Sequence, residues 1–423
     1  MGVSGCRLSS SVSCRNLYDA REIGFGGREE KEEHQPCSMH DSGHGIEEDM
    51  FKDVFKFYKR KKPPPDLGHV LQVDDPFQEG MQIPPCAISC KDQEDAQKIG
   101  LVSHSSWKIY SLKAHPGLLI ILNPFTSQGQ LEWIKTCLKE FPCASNKTNL
   151  ASHGITLSDN TWWQLTCSSE GKKSGLRKKL RWVTLGYHHN WDTKEYSEDL
   201  HGDMPASLKK LCAVVSKVLG FNEFQAEAAI INYYHQDSTL APHTDHSEPY
   251  AEAPLFSFSF GQSAVFLIGG PTKATKPSAI YLHSGDVMVM TGPSRLAYHA
   301  VPRIVLVNEE PWRTELSKGK VCECKEDSEV NQEKYVDRNK STFAINSPEE
   351  NVFKKGSLDK ECRVKENSEN MFNKQSNKSH ERKIIDGMAD DSDIHDILSY
   401  VKNNRINMNV RQVLKPSMDR LLR

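Results

Sequence analysis

The chain has 423 residues, 26% of them charged, and a formal net charge of −2 at pH 7. This near balance excludes recognition of a partner by overall charge, so any contact with nucleic acid must come from local basic runs. The hydrophobic fraction of 37% is low for a fully globular chain and predicts that part of the chain is disordered.

Neither a structural zinc site nor a membrane span is expected. The twelve cysteines are scattered, and the closest pairs have no second pair at zinc-site spacing. No apolar run reaches about 18 residues and no secretory signal is evident, which predicts an intracellular protein without a membrane partner. Residues 1–27 carry Ser and Arg with few acids, as transit peptides do, so mitochondrion, nucleus and cytoplasm stay open as compartments.

The N-terminal half of the chain is predicted to mix helices with strands. Apolar residues recur at helical spacing from Met50 to Lys62 and from Gln130 to Phe141, and a further helix is predicted at Leu208–Leu219. The aliphatic run Gly117–Leu122 predicts a strand. We assign residues 47–225 to an N-terminal extension of the main domain.

A basic segment within this extension leads into a group of aromatic residues. Basic side chains beside flat rings suit a surface that binds phosphates and stacks bases. For Trp182 and Trp191, packing in the core is an equally good interpretation. The basic residues lie between Lys172 and Arg181, and the residues expected to contact a substrate are Trp182, Tyr187, His188 and Asn190.

From residue 226 onward, short β segments alternate with turn residues at a spacing typical of a sandwich or jelly roll. The predicted strands are Ala226–Tyr234, Leu255–Phe260, Ala264–Ile268, Ala279–Leu282, Val287–Met290, His299–Val305 and Arg405–Arg411. The predicted fold class is α+β, mainly β. It consists of a double-stranded β-helix (jelly roll) core with N-terminal helices and a flanking nucleotide-recognition segment.

The predicted core is discontinuous in sequence, with residues 226–308 and 391–415 on either side of a charged insert. Residues 309–390 are rich in Lys, Glu, Ser and Asn, and they cannot bury enough apolar surface to offset the entropy of ordering, so we predict disorder. Residues 1–46 are predicted to be a disordered tail and 416–423 a short C-terminal tail. The alternative is a domain that ends near residue 310, followed by a separate tail helix.

Three residues of the core have the pattern of a metal site. His243 and Asp245 lie two positions apart in an extended segment, so both side chains point to one side, and His299 stands at the head of a later strand. Two histidines and one carboxylate form the facial triad of non-haem iron(II) oxygenases. We predict that these three residues bind the metal and are catalytic. A second such tripeptide, His201-Gly202-Asp203, lacks flanking strands and is not assigned.

The last predicted strand, Arg405–Arg411, alternates polar and aliphatic residues, so one face carries two Arg and two Asn. Such an interior face requires an anion, and 2-oxoglutarate is one: its keto-acid end chelates iron, and we assign its far carboxylate to Arg411. An edge strand with solvated charges is the alternative. The expected cosubstrate contacts are Asn232, Tyr234, Arg405, Asn407 and Arg411.

Together these motifs resemble those of the AlkB family of Fe(II)/2-oxoglutarate nucleic-acid dioxygenases. The matching motifs are His243-x-Asp245, His299, Asn232-x-Tyr234 and Arg405-x-Asn407-x-x-x-Arg411. The resemblance implies an enzyme that uses Fe(II), 2-oxoglutarate and O₂, with the expected jelly-roll fold. One position departs from the family pattern: Ser247 stands where a second acid often helps to demethylate charged bases, so repair of alkylated DNA bases is less expected.

The resemblance further implies that a methyl group on a base is oxidised while 2-oxoglutarate is converted to succinate. The expected substrates are tRNA, at 1-methyladenosine and 5-methylcytidine, and single-stranded or unpaired DNA, at 6-methyladenine. One alternative is a demethylase or hydroxylase of histones or other proteins with the same iron and 2-oxoglutarate cycle. Another is a catalytically silent binding module. We expect a monomer.

Overall fold

The structure is a computed structural model that describes residues 48–75, 80–157, 161–314 and 391–421. The predicted N-terminal tail lies outside the described residues, as does nearly all of the predicted insert at 309–390. Within the described parts of the chain, no helix is long and apolar enough to cross a membrane.

The elements follow the predicted order closely. The helices are α1 (Met50–Lys59), α2 (Cys90–Lys98), α3 (Ser127–Lys139), α4 (Trp162–Cys167), α5 (Ser169–Lys173), α6 (Ala206–Val218) and α7 (Asp391–Val401). The strands are β1 (Gly80–Ile83), β2 (Lys108–Leu112), β3 (His115–Leu122), β4 (Lys147–Thr148), β5 (Trp182–Gly186), β6 (Ala228–His235), β7 (Leu240–His243), β8 (Leu255–Gly261), β9 (Ser263–Ile268), β10 (Ser278–Leu282), β11 (Val287–Met290), β12 (His299–Val305) and β13 (Asn404–Arg411). The three predicted helices correspond to α1, α3 and α6, and the first of them ends three residues earlier than expected.

Two antiparallel sheets form the core. The larger has the order β1-β2-β3-β11-β8-β13-β6-β5-β4 and the smaller the order β10-β9-β12-β7. The predicted jelly-roll class is confirmed. Strand β13, from the C-terminal part of the chain, lies in the middle of the larger sheet between β6 and β8. The alternative of a separate C-terminal tail helix is therefore wrong, because this segment completes the sheet.

The side chains of β13 alternate between its two faces, and the two faces have different surroundings. Ile406, Met408 and Val410 are fully buried in the large apolar core that also contains residues of α3, α4, α6 and α7. The intervening polar residues face the space between the two sheets, as the period of two predicts. The polar face of β13 is thereby turned into the interior of the jelly roll.

Helix α1 covers the outer face of the smaller sheet. Its apolar residues Phe51, Phe55 and Tyr58 are buried against Val265 and Leu267 of β9. Burial of each large apolar side chain contributes about 1.5–3 kcal/mol, which is enough to hold a short helix on the sheet. Successive residues of β9 alternate between α1 and the space between the sheets, where Phe266 and Ile268 lie.

Candidate metal centre and cosubstrate cavity

The structure brings the three predicted metal ligands together. His243 at the end of β7 pairs with His299 at the start of β12, and Asp245 follows two residues after β7. One donor atom from each residue lies within 4.8 Å of the other two. Asp245 places Oδ1 at 3.8 Å from His243 Nε2 and Oδ2 at 3.8 Å from His299 Nε2. Two imidazoles and one carboxylate converging at this spacing fit a single divalent ion.

Backbone contacts orient both imidazoles. His243 Nδ1 lies 2.9 Å from the carbonyl oxygen of Ala241, and His299 Nδ1 lies 3.0 Å from that of Ala297. Because a carbonyl can only accept, each Nδ1 donates, and each Nε2 keeps its lone pair for a metal. Burial and the nearby His243 lower the pKa of His299 to about 4, so its ring is neutral at pH 7, as a ligand must be.

The third ligand, Asp245, is kept ionised by its neighbours. Burial alone would raise the pKa of this carboxyl, but Arg411, His299 and His243 together hold it well below its usual range. Arg411 Nη2 donates a 2.8 Å hydrogen bond to Asp245 Oδ2, and the side chain of Arg411 is only 4% exposed. Arg411 therefore belongs to the metal end of the site.

A buried carboxylate that the sequence analysis missed holds Arg411 from its other side. Glu248 Oε1 lies 3.1 Å from Arg411 Nε and accepts a 3.0 Å hydrogen bond from the Tyr196 hydroxyl. Its Oε2 accepts from Arg295 Nη2 at 2.9 Å, and Arg295 Nη1 donates to the backbone carbonyl of Asp245 at 2.7 Å. The loop after His243 is thus fixed by charged hydrogen bonds. An acid three positions after Asp245 was the only signal in the sequence.

A cavity of about 500 Å³ extends from the metal triad into the space between the sheets. Strands β6 and β13 supply part of its polar lining, because these neighbouring strands present alternate residues to the interior. All five residues predicted to bind the cosubstrate line it: Asn232, Tyr234, Arg405, Asn407 and Arg411.

Arg405 is a buried cation with only neutral partners. Its Nη1 donates to the carbonyls of Gln262 at 3.0 Å and Leu282 at 3.1 Å, and its Nη2 donates to Ser259 Oγ at 2.6 Å. Among the described residues, no carboxylate lies within ion-pair distance of it. Burial lowers the pKa of Arg405 to about 10. A buried cation whose direct contacts are all neutral favours the binding of an anion, so Arg405 can hold a carboxylate.

This geometry favours a different arginine for one expected role. The far carboxylate of 2-oxoglutarate was assigned to Arg411, but Arg411 already contacts Asp245 and Glu248, and the adjacent carboxylates raise its pKa. A guanidinium with two carboxylate partners has little capacity for a third anion. The uncompensated Arg405 fits the role, and Arg411 supports the metal ligand.

The neighbouring polar residues can complete a carboxylate site. Burial raises the pKa of Tyr234 to about 12, so its phenol stays protonated and able to donate. Asn407 Nδ2 donates to Ser257 Oγ at 2.9 Å and to the Phe258 carbonyl at 3.1 Å, which fixes the orientation of its amide. These residues and Arg405 form a buried, polar part of the cavity.

Two of the predicted substrate contacts, Tyr187 and His188, do not line the cavity. The Tyr187 hydroxyl donates to Glu198 at 2.6 Å, and the His188 ring lies 2.8 Å from the Thr184 hydroxyl. Both side chains are more than nine-tenths buried. Packing and internal hydrogen bonds, rather than substrate contact, account for them.

Trp182 and Asn190 also lie outside the cavity lining. Asn190 Oδ1 accepts from the backbone N–H of Asp192 at 2.9 Å, so it stabilises a turn. The half-buried ring of Trp182 lies 5.5 Å from that of Trp191, and Trp191 does line the cavity. Trp182 therefore packs against Trp191, which lines the cavity, and does not line the cavity itself.

In the segment after β5, three aromatic residues reach the cavity: His189, Trp191 and Tyr196. The His189 ring lies 4.7 Å from that of Trp191 and 5.3 Å from that of Tyr196. Sequence reasoning missed His189 because β5 ends at Gly186, whose φ of +67° turns the chain out of strand alternation. Beyond this turn, neighbouring positions no longer predict which face a side chain occupies.

Residues 117–411 match the family model of the 2OG-Fe(II) oxygenase superfamily, a range that includes the triad and both arginines of β13. The chain belongs to this superfamily. The protein is therefore an Fe(II)/2-oxoglutarate-dependent dioxygenase, and Fe(II), 2-oxoglutarate and O₂ are the cofactor and cosubstrates of the family, as predicted. The converging donor set and the uncompensated Arg405 fit a metal ion and a dicarboxylate.

Similar proteins confirm the expected likeness to the AlkB family. Nucleic acid dioxygenase ALKBH1 from Mus musculus is 40% identical over 274 residues, which is 61% of this chain and 70% of the relative. tRNA demethylase abh1 from Schizosaccharomyces pombe is 34% identical over 285 residues, 62% of this chain and 88% of the relative. DNA N(6)-methyladenine demethylase ALKBH1A from Arabidopsis thaliana is 33% identical over 229 residues, 46% of this chain and 66% of the relative.

Proposed function

We propose that the protein oxidises methyl groups on bases of nucleic acid, in tRNA at 1-methyladenosine and 5-methylcytidine, and in unpaired DNA at 6-methyladenine. The observation that carries this proposal is the lining of the triad cavity. Flat rings and two lysines, Lys194 and Lys273, share the cavity with the metal ligands. Rings stack on bases and lysines attract phosphates. The names of the similar proteins agree with this substrate class.

In this proposal His243, Asp245 and His299 hold Fe(II), and Arg405 with Tyr234 binds the far carboxylate of 2-oxoglutarate. When bound, the metal, 2-oxoglutarate and O₂ supply the chemistry that oxidises a methyl group. The chain's own residues keep the ligands in their binding form. Arg411 keeps Asp245 ionised, and the two backbone carbonyls keep each Nε2 free for the metal.

Trp191 and His189 are proposed to receive the base. The ring of Trp191 is 43% exposed, and Lys194 Nζ lies 5.9 Å from its centre, so a ring and a cation are available together. His189 Nδ1 is buried and has no hydrogen-bond partner among the described residues, so it is available to the edge of a base. A base must leave its stack to reach this point, which favours unpaired or flipped nucleotides.

The alternative, a demethylase or hydroxylase of histones, is less well supported. A lysine or arginine substrate would bring a full positive charge into the cavity, and a free carboxylate would be its natural partner. Asp245 and Glu248, the carboxylates in the described cavity lining, are both held by Arg411. The flat face of a base can instead stack on the rings of His189 and Trp191.

The test is turnover on total RNA and DNA with Fe(II) and 2-oxoglutarate, followed by nucleoside mass spectrometry. We expect loss of 1-methyladenosine from tRNA or oxidation of 5-methylcytidine, with succinate formed in step. Reactions without 2-oxoglutarate and reactions of Asp245→Ala protein are the controls, and both should leave the nucleosides unchanged. Consumption of a methylated histone peptide, with every nucleoside unchanged, would reject the proposal in favour of the alternative.

A further inference from the structure

A second cavity of about 840 Å³ lies at the ends of β6, β12 and α7 and shares no lining residue with the cosubstrate cavity. β6 contributes His235, β12 contributes Ile304 and Val305, and the end of α7 contributes Tyr400. The dioxygenase reaction assigned above uses none of these residues. The cavity therefore requires its own explanation.

The lining of this second cavity is cationic. Lys61, Arg177, Lys178 and Arg303 line it, against the single carboxylate of Asp237 among the described lining residues. Arg303 is held in place because its Nε donates to the Tyr58 carbonyl at 2.7 Å. Several fixed or nearby cations around one concave surface create a potential that attracts an anion.

Two buried polar atoms of the lining residues have no hydrogen-bond partner among the described residues: the Tyr400 hydroxyl and Arg177 Nε. Tyr400 is 3% exposed. Buried polar groups are almost always paired, so unpaired atoms from two separate elements at one cavity indicate a missing ligand. The ligand must accept from the Tyr400 hydroxyl and from the guanidinium.

The His235 ring is held within the fold. Its Nδ1 lies 2.6 Å from Asn404 Oδ1, and Asn404 Nδ2 donates to the Tyr400 carbonyl at 2.6 Å, which fixes the amide orientation. Nδ1 therefore donates, and the Lys178 backbone also bonds the ring. The ligand therefore needs negative oxygens, which meet the Tyr400 hydroxyl and the cations. Inorganic phosphate supplies such oxygens, and so does a phosphodiester.

The residues of the basic segment between Lys172 and Arg181 have different surroundings in the fold. Lys172 and Arg177 both pair with Asp396 of α7, at 3.0 and 3.1 Å, so part of the segment is neutralised within the fold. Lys178 lines the second cavity, whereas its neighbour Lys179 is exposed and does not line it. The two lysines therefore form a matched pair for an experiment.

We propose that the second cavity binds a phosphate group, with Lys178 and Arg303 as its charged partners and the Tyr400 hydroxyl as a donor. The phosphate has two conceivable sources, a free phosphate or mononucleotide, and the backbone of a nucleic acid. In the second case the inference rests on the proposed function, because the site would then hold a substrate strand away from the metal.

The test is isothermal titration of the full chain, loaded with Fe(II) and 2-oxoglutarate without oxygen, first with inorganic phosphate and then with a short single-stranded RNA. Tyr400→Phe removes only a hydroxyl that has no partner in the fold, so thermal unfolding should show no loss of stability. Its affinity for phosphate should fall about tenfold, the usual effect of losing a hydrogen bond to a charged group. Lys178→Glu should weaken phosphate binding at least as much.

Lys179→Glu is the control, because it makes the same charge change one residue away. No phosphate binding by the wild-type chain would overturn the proposal. Equal effects of Lys178→Glu and Lys179→Glu, or unchanged affinity in Tyr400→Phe, would also overturn it. If the Lys178 variant loses phosphate and RNA affinity together, the RNA backbone is the source; if it loses phosphate alone, the source is a free phosphate. Titration reports binding without turnover, so failure of base oxidation remains a separate result.

Discussion

The two arginines at the ends of the polar face of β13 occupy opposite electrostatic environments. Arg411 lies between the carboxylates of Asp245 and Glu248, whose charges raise its pKa. Arg405 contacts only carbonyls and a hydroxyl, and burial lowers its pKa to about 10. The compensated arginine is a structural part of the metal site. The uncompensated one can accept an anion, which is why we propose it as the partner of the cosubstrate's far carboxylate.

Replacing Arg405 should have the largest effect on catalysis. In Arg405→Met the cosubstrate loses its buried cation, so we expect the KM for 2-oxoglutarate to rise by a factor of about 30 or more, the usual cost of removing one partner of a buried charge pair. This KM is measured from the rate of succinate release at varied concentrations of 2-oxoglutarate. Metal affinity should be unchanged, since Arg405 does not contact the triad. If Arg405→Met instead bound the metal more weakly and kept the KM for 2-oxoglutarate unchanged, Arg405 would support the metal site and the cosubstrate role would pass to Arg411.

Replacing Arg411 should instead act mainly on stability. Arg411→Met leaves two buried carboxylates without their shared cation, which costs about 3–5 kcal/mol of unfolding free energy. Arg405→Met, whose partners are neutral, should cost clearly less. Urea unfolding of the two variants side by side gives the comparison. If Arg405→Met proved the less stable of the two variants, the inference that carboxylates compensate the charge of Arg411 but not that of Arg405 would be wrong.

Glu248 is expected to affect the metal through Arg411, as a positioning residue. In Glu248→Gln the charge that fixes Arg411 is lost while the shape is kept, and metal affinity should fall about 10- to 100-fold, as for other residues that orient ligands. Metal titration of the apo protein is the measurement. The exposed Glu252, four positions later, provides the control substitution Glu252→Gln, which should leave metal affinity unchanged. Equal losses of metal affinity in both variants would mean that the effect comes from the net charge of the protein and not from the contact between Glu248 and Arg411.

The smallest expected effect concerns substrate choice. Ser247 lines the cavity beside two carboxylates that Arg411 already holds, so Ser247→Asp would add a carboxylate without an arginine partner. We expect the ratio of kcat/KM for 1-methyladenosine over 5-methylcytidine to rise several-fold, because only the former base is cationic. Competition assays on a mixed RNA substrate report the ratio directly. A ratio that stays constant would mean that the base does not approach residue 247.

Much of the fold could be predicted because strand alternation is strictly local. The period of two in Arg405–Arg411 placed the polar face inside, and the structure confirms it. The same rule brought His243 and Asp245 to one side of an extended segment. The rule gives the face of a side chain but not its partner across space. Which arginine is compensated depends on Glu248, in a loop whose path no periodicity describes.

The substrate side of the site was predicted less well for a related physical reason. The expected residues Tyr187 and His188 are buried with internal partners, and His189, the next residue, lines the cavity. Beyond Gly186 the backbone leaves the strand, so the direction of each side chain is set by tertiary contacts. Composition identified the right segment of the sequence, but the path of the folded loop determines which rings face the cavity.

The central position of β13 also constrains how the protein is made. Its two neighbours, β6 and β8, are synthesised long before it, because β8 ends at Gly261 and β13 begins at Asn404. At about 5–20 residues per second, the ribosome needs on the order of ten seconds to deliver the missing strand. During that time two long edges of the sheet have unpaired backbone groups in the nascent chain. The larger sheet, and the contact of Arg411 with Asp245, can therefore be completed only after this last strand has left the ribosome.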